Sequence, residues 1–201
     1  MKMNRFETWA MNNPLRALIQ RRVEAPLLAR MGGHVRGLNV LEVGCGRGVG
    51  TEIIVRLFGA AHVTAMDLDP HMILEAKKRW GERLGQKVEW CVGDLARLSY
   101  PDNSFDAVFN FAALHHVPMW RDALDEIRRI LKPEGRFYFE EATSQFIHRW
   151  PWRILFDHPR EDRFSAQQFL DALDAAGLGT GPRWAVKSNG DYIFGVGVKS
   201  G

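Results

Sequence analysis

One stretch of the chain decides the fold: NVLEVGCGRG, residues 39–48. Its first half is an apolar run interrupted only by Glu42, which is the pattern of a buried β-strand. Its second half alternates glycine with other residues, and a helical pattern follows at residues 48–58, with Ile53, Ile54 and Leu57 on one face. A strand that enters a glycine-rich turn and then a helix is typical of α/β domains, in which the turn approaches a ligand at the edge of a parallel sheet.

Strand and helix patterns alternate along the rest of the chain. Strands are predicted at 39–43, 62–66, 87–91, 105–110, 136–140, 183–187 and 192–198, and helices at 48–58, 70–80, 121–131 and 166–176. This alternation predicts right-handed crossovers and a parallel sheet covered on both faces. Asn189-Gly190 lies between the last two strands and predicts a closing antiparallel hairpin. The fold class is therefore α/β.

Length and composition exclude several classes of protein. The chain has 201 residues, of which 46% are hydrophobic and 25% charged, values typical of one globular domain. Its two cysteines, Cys45 and Cys91, are too few for a disulfide framework and have no neighbouring metal ligands, so no metal site is expected. No segment approaches the roughly 20 apolar residues that span a bilayer, and no secretory signal is visible. A cytoplasmic location is expected.

The positive charge is concentrated at the N-terminus. Residues 1–38 contain seven basic and two acidic residues, whereas the rest contains 20 basic and 22 acidic residues. We therefore divide the chain into an N-terminal helical arm or lid, residues 1–37, and a main domain, residues 38–201. Residues 14–31 are amphipathic, and Pro26 favours two short helices over one. The arm is predicted to be a packed helix with a solvated basic face, to lie on a membrane surface, or to close over the ligand. Its apolar residues at helical spacing are Leu15, Leu18, Ile19, Val23 and Leu27.

Acidic residues follow the second and third predicted strands. Asp67 lies 19 residues after Gly48, and Asp94 follows the third strand. Parallel strands end at one edge of a sheet, so we expect both carboxylates to line one crevice with the glycine loop, and Asp67 to hold a ribose diol. The dinucleotide fingerprint fails, because Val49 and Thr51 stand where its two frames require glycine. A carboxylate at Glu42 suits a ligand that carries an ammonium or sulfonium group better than a pyrophosphate.

These motifs resemble those of the class I S-adenosylmethionine-dependent methyltransferases, from about residue 38 to residue 141. Within that class, FDAVFNFAALHHV (105–117) and EIRRILKPEGR (126–136) are similar to the UbiE/quinone-type group of small-molecule methyltransferases. The resemblance implies a three-layer αβα Rossmann-like fold. It also implies a mostly parallel seven-stranded sheet of order 3-2-1-4-5-7-6, with an antiparallel last strand.

The resemblance implies S-adenosylmethionine as cofactor, S-adenosylhomocysteine as product, and a set of binding residues. The glycine loop would pack under the methionine and ribose, with Glu42 supporting the ammonium group or the loop itself. Asp67 would bind the ribose hydroxyls, Asp94 the adenine amino group, and the carbonyl of Asn110 would lie near the ammonium group. The full set is Glu42, Gly44, Cys45, Gly46, Gly48, Asp67, Leu68, Met72, Gly93, Asp94, Leu95 and Asn110.

Methyl transfer from a sulfonium is a direct in-line displacement, so alignment supplies much of the rate and a base is needed only for an acceptor that loses a proton. His115 and His116 follow the fourth strand and are the candidate bases, with packing of their loop as the alternative. The segment 143–164 is rich in aromatic and basic residues. It is predicted to be an acceptor-side lid, or else a surface excursion.

Three other functions compete with small-molecule methylation. A nucleic-acid or protein methyltransferase is disfavoured because Phe-Ala-Ala follows Asn110 and no cysteine lies in the loop after the fourth strand. A protein that binds the cofactor without turnover and an NAD-dependent reductase are the other two. The expected partner is a small acceptor, with a lipid-like molecule as one candidate, and membrane contact is at most peripheral, through the arm. Nucleic acid is not the expected partner, and the oligomeric state stays open.

Overall fold

A parallel sheet forms the centre of the protein. The computed structural model describes residues 13–148 and 163–201. The strands are β1 (Asn39–Val43), β2 (His62–Asp67), β3 (Val88–Val92), β4 (Phe105–Phe111), β5 (Leu131–Ala142), β6 (Leu178–Gly179), β7 (Trp184–Lys187) and β8 (Tyr192–Lys199). Their order is β3-β2-β1-β4-β5-β8-β6, and β7 also pairs with β8. The pairs among β1 to β5 are parallel, and β8 is antiparallel to its neighbours.

The predicted sheet order is confirmed, but the predicted count of seven strands is wrong. The outer strand is divided into β6 and β7, and both lie along β8. Pro182 lies between the two pieces, where it offers no amide hydrogen to a strand ladder, and Gly181 there has a φ of 53°. A hydrophobic pattern does not distinguish such an interrupted edge from one strand that follows a loop.

Helices cover both faces of this sheet. They are α1 (Pro14–Ile19), α2 (Ala25–Gly32), α3 (Val49–Ile53), α4 (Pro70–Leu84), α5 (Trp120–Ile130), α6 (Ser144–His148) and α7 (Ala166–Ala175). Ser165 caps α7, because its side chain accepts from the backbone N–H of Gln168. Residues 149–162, which make up most of the predicted lid, lie outside the described residues.

Two apolar layers hold the helices on the sheet. Alternate residues of β1 face opposite sides, so Leu41 packs in one layer and Val40 in the other. Trp120 of α5 is in the layer of Leu41, and Phe58 is in the layer of Val40. Phe58 is buried in place of Leu57, which is partly exposed, because the wider π-helical turn at Ile54–Phe58 rotates the side chains away from the positions that α-helical spacing predicts.

The arm packs on the domain through a face that the sequence pattern did not single out. A π-helical turn at Gln20–Glu24 joins α1 to α2, so helical structure continues through Pro26. Ala25 and Leu28 are fully buried, while most of the apolar residues predicted to pack are exposed. The end of α2 is held by Tyr138, whose hydroxyl lies 2.8 Å from the Gly32 carbonyl and 3.0 Å from the Gly33 carbonyl.

We expect Tyr138→Phe to lower the free energy of unfolding by about 1 kcal/mol, because it removes a buried hydroxyl that donates to the end of the arm. Urea unfolding measures this difference. Tyr100→Phe is a suitable control, because the Tyr100 hydroxyl is partnered by a weakly hydrogen-bonding thiol, that of Cys91, at 3.4 Å. An equal loss in both variants would show that the Tyr138 hydroxyl does not anchor the arm.

Candidate active site

A cavity of about 330 Å³ lies at the carboxyl edge of the parallel strands. Its size falls within the range of about 300–1,000 Å³ that is usual for small-molecule sites. Segments that follow β1, β2, β3 and β4 form its wall, and the arm adds Arg16 and Gln20. The shared direction of these strands brings the loops together, as the sequence predicts.

Most of the predicted cofactor residues meet in this cavity. Those that line it are Glu42, Gly44, Cys45, Gly46, Asp67, Leu68, Met72, Gly93, Asp94 and Leu95, together with the candidate base His116. Gly48, Asn110 and His115 do not line it. Gly48 instead begins α3 with a φ of 79°, and its amide donates to the Cys45 carbonyl over 2.9 Å.

The loop after β1 has glycine because its backbone approaches other segments closely. Gly44 has a φ of 67°, and a Cβ on it would overlap the Cβ of Ala113 in the loop after β4. Gly46 also has a positive φ, but a Cβ there would meet no protein atom within 4 Å. Since Gly46 lines the cavity, that open space belongs to the cavity, and a ligand can lie directly on the backbone.

Asp67 links the end of β2 to this loop. Its Oδ2 accepts from the Gly46 amide over 2.8 Å, and its Oδ1 accepts from the Asp69 amide over 2.9 Å. Burial raises the pKa of Asp67, although the two amides act against this rise. Asp94 is exposed at the other side of the cavity, with its Oδ1 accepting from the Ala96 amide. Two carboxylates in these positions suit a ligand with hydroxyl and amino donors.

Glu42 is a buried carboxyl group beneath the loop. It is 1% exposed, and the Thr51 hydroxyl donates to it. Gly50 lies so close that a Cβ on it would overlap the Glu42 carboxyl and the ring of Phe111. Burial raises the pKa of Glu42 to about 8, so the group is mostly protonated at pH 7. A cation bound beside it would favour the ionised form.

The arm contributes a buried cation. Arg16 forms ion pairs with Glu24 of the arm and with Glu140 at the end of β5. Burial acts to lower the pKa of Arg16, but the two carboxylates outweigh it and raise that pKa. Burial raises the pKa of Glu140, although Arg16 opposes the rise. Sequence reasoning missed this contact, which joins residues 124 positions apart.

Glu141 organises the loop after β4, and sequence reasoning missed it as well. Its Oε1 accepts from the Asn110 side chain over 2.6 Å and from the Leu114 amide over 2.8 Å. Its Oε2 accepts from the His115 amide at 3.3 Å and lies 2.6 Å from Nδ1 of the same histidine. This explains why Asn110 and His115 turn away from the cavity. His116 lies in the cavity wall, with its ring centroid 4.1 Å from that of His115.

The sequence contains a pattern that could have identified Glu140 and Glu141 as site residues. The two acidic residues directly follow the apolar run of residues 137–139. That run lies near the end of a strand that reaches the same edge of the sheet as Asp67. The rule that identified Asp67 and Asp94 therefore applies to them too. Glu140 and Glu141 do not line the cavity, and the residues missed on its wall are mainly apolar, among them Phe111, Val117, Pro118 and Met119.

Comparisons with known proteins agree with this architecture. Residues 41–139 match the family described as a methyltransferase domain. The chain is 40% identical over 135 residues to a sterol 24-C-methyltransferase of Gibberella zeae, covering 65% of this chain and 32% of that protein. It is 36% identical over 126 residues to a fatty-acid O-methyltransferase of Mycolicibacterium smegmatis, covering 62% of this chain and 44% of that protein. The chain thus spans about a third of the first relative and under half of the second.

A solved structure extends the similarity to nearly the whole chain. A SAM-dependent methyltransferase from Aquifex aeolicus is 22% identical, has a TM-score of 0.75, and is matched over 98% of both chains. The domain match and the sheet order together support a class I S-adenosylmethionine-dependent methyltransferase domain. S-adenosylmethionine is the cofactor of this domain, and the carboxylates and open glycine loop of the cavity fit it.

Two further observations concern the part of the chain that the structure describes. No cluster of three or more metal-ligating side chains occurs within residues 13–148 and 163–201. In the same ranges, none of the helices combines the length and the apolar character that crossing a bilayer requires.

We expect Glu42→Gln to become progressively more stable than the wild type as the pH rises from about 4.5 to about 8. Glu42 is protonated in the folded protein, whereas in the unfolded chain it ionises near its usual pKa of 4.5. The free energy of unfolding of the wild type therefore falls as the pH rises above 4.5, until Glu42 also ionises in the folded protein at a pKa of about 8. Urea unfolding across this range measures the difference. Glu134→Gln, at an exposed carboxyl group of β5, is the control. A constant difference between wild type and Glu42→Gln would contradict a protonated Glu42.

Proposed function

We propose that this domain transfers the methyl group of S-adenosylmethionine directly to a small, lipid-like acceptor. The observation that carries the proposal is the division of the cavity into two chemically different sides. Carboxylates and glycines lie at the ends of β1 to β3, and an apolar wall is formed by Phe111, the last residue of β4, with Val117, Pro118 and Met119 after it. A polar cofactor suits the first side and an apolar acceptor the second.

The acceptor class is supported by the relatives' names and by the sequence. The two curated relatives are described as acting on a sterol and on a fatty acid, both of which are lipophilic. The segments 105–117 and 126–136 also resemble those of the UbiE/quinone-type group, and this resemblance favours a small-molecule acceptor. We therefore propose membership of that group as the finer assignment.

The chain's own residues would hold and orient the cofactor. Asp67 would accept from the ribose hydroxyls, and Asp94 and the Leu95 backbone would bind the adenine, against which Leu68 and Met72 would pack. The glycine loop would lie beneath the methionine, with Glu42 below it taking the charge of the ammonium group. When bound, the cofactor supplies a methyl group on a positively charged sulfur with a neutral leaving group. The chain then needs mainly to align the acceptor and exclude water.

His116 is our proposed base for acceptors that must lose a proton. It lies in the wall next to the apolar side, and imidazole is the side chain most often used by enzymes as a general base. His115 and Glu141 are proposed as positioning residues, because the Glu141 carboxylate lies 2.6 Å from Nδ1 of His115 and the His115 ring contacts that of His116. A carboxylate acceptor is already ionised and would not use this base.

Cofactor binding tests the first part of the proposal. We expect calorimetry to detect binding of S-adenosylmethionine and S-adenosylhomocysteine, and Asp67→Ala to weaken both by about 100-fold, because two hydrogen bonds to a charged group are lost. Asp102→Ala, which changes an exposed carboxylate that pairs with Arg129, is the matched control. Binding of NADH, with no binding of either sulfur nucleotide, would refute the methyltransferase and support the reductase.

Two probe acceptors test the proposed base. We expect His116→Ala to slow methyl transfer to an alkylated phenol by about 100-fold, because the phenol must lose its proton, and to leave transfer to palmitate nearly unchanged. Transfer of label from radioactive S-adenosylmethionine into the organic phase measures both rates. Cofactor affinity is measured in parallel. An equal loss with both probes would indicate that His116 serves packing instead.

A further inference from the structure

The N-terminal arm exposes an apolar surface. Leu15, Leu18, Ile19 and Val23, which we name the outer stripe, are 66%, 50%, 40% and 58% exposed. These four large aliphatic side chains lie within nine residues of one helical segment. Single exposed aliphatic residues are ordinary on protein surfaces, but a group of this size on one helix indicates a surface that is covered in use.

The outer stripe lies on the outside of a wall of the cavity. Ala17, Gln20 and Leu28, on the inner face of the arm, are buried. Arg16 and Gln20 of the same helical segment line the cavity itself. Whatever covers the outer stripe is therefore separated from the cavity by the thickness of one helix.

Positive charge surrounds the outer stripe. Arg22 and Arg30 of the arm are exposed, and the one acidic residue in the sequence from 13 to 33, Glu24, is paired with Arg16. Arg21, which pairs with Glu52 of α3 over 2.9 Å, extends toward α4, where its guanidinium lies 6.0 Å from the centre of the Trp80 ring.

An arginine cluster continues this charge from the arm onto α4. The guanidinium groups of Arg79 and Arg83 lie 5.3 and 5.7 Å from the centre of the same Trp80 ring. Burial lowers the pKa of Arg79, and the charges of Arg47, Arg21 and Arg83 lower it further. Anionic groups placed against this surface would relieve the mutual repulsion of the guanidinium groups.

We infer that the outer stripe and its flanking arginines dock the protein on an anionic phospholipid bilayer. Aliphatic side chains that enter the headgroup region and arginines that contact acidic headgroups are the two contributions by which an interfacial helix binds a membrane. The inner face of the arm, with Ala17, Ala25 and Leu28, is buried, so the arm would contact the bilayer with its outer face alone. A symmetric dimer through the same face would place the exposed Arg22 and Arg30 of both copies in one interface, which like charge opposes.

Vesicle flotation tests this inference without any methyl acceptor. The full chain is expected to float with vesicles of equimolar phosphatidylcholine and phosphatidylglycerol, to bind phosphatidylcholine vesicles weakly, and to lose binding as salt rises. The triple variant Leu15→Ser, Leu18→Ser and Val23→Ser is expected to bind the mixed vesicles at least about tenfold more weakly. Arg22→Ala with Arg30→Ala is expected to lose a similar factor, with a smaller salt dependence.

A matched variant controls for the loss of exposed aliphatic surface. Leu74→Ser, Val92→Ser and Val186→Ser change three exposed aliphatic residues away from the arm and are expected to leave vesicle binding unchanged. Thermal unfolding and cofactor calorimetry on each variant establish that the fold and the cofactor site are intact. Those measurements also separate a failure of membrane docking from a failure of the proposed methyl transfer.

Three outcomes would overturn the inference. The first is absence of binding to the mixed vesicles. The second is equal binding by the wild type and the arm triple variant, since the contact would then be electrostatic only. The third is a dimer, seen by light scattering after size exclusion, that the arm triple variant dissociates while vesicle binding stays the same. That result would assign the outer stripe to contact between two copies.

Discussion

The parallel pairing of β1 with β2 on one side and β4 on the other is the constraint on which the site depends. Strands that run in one direction end at one edge, so the glycine loop, Asp67 and the loop after β4 meet there. Apolar side chains on both faces of the sheet supply the driving force for this arrangement. The site residues therefore need to contribute little to folding and are left available for ligand chemistry.

Buried carboxyl groups set the electrostatics of this edge. Glu42 accepts a hydrogen bond from the Thr51 hydroxyl, and Glu140 forms an ion pair with Arg16. Glu141 accepts from two backbone amides and contacts the side chains of Asn110 and His115. Burial raises the pKa of Glu42 and of Glu140, so the charge of the cavity depends on pH and on what lies beside it. A site of this kind favours a cationic ligand, because a positive charge recovers the ionised form of Glu42. This agrees with a sulfonium cofactor better than with a pyrophosphate.

The arm illustrates how a helical pattern leaves the buried face undecided. Leu15, Leu18 and Val23 recur at helical spacing, yet the arm packs on the domain through Ala17, Ala25 and Leu28, two of which have small side chains. The arm lies close to the sheet at Gly32, where a Cβ would overlap Tyr138 and Val196, and the hydroxyl of Tyr138 and the ion pair of Arg16 fix the arm there. The larger aliphatic residues therefore point outward, where they form the outer stripe.

The resemblance to the class I methyltransferases implies the sheet order, whereas the amino-acid sequence alone determines the fold class and the glycines and carboxylates of the cavity at the ends of the first three strands. These features depend on local patterns, namely apolar runs, glycines and acids at strand ends, and on the shared direction of parallel strands. The tertiary structure decides the divided edge strand, the Arg16–Glu140 ion pair and the turning of Asn110 and His115 toward Glu141. Each of these depends on contacts between residues far apart in the chain. The distance and side-chain direction of such contacts follow from how helices and strands pack, which no local pattern encodes.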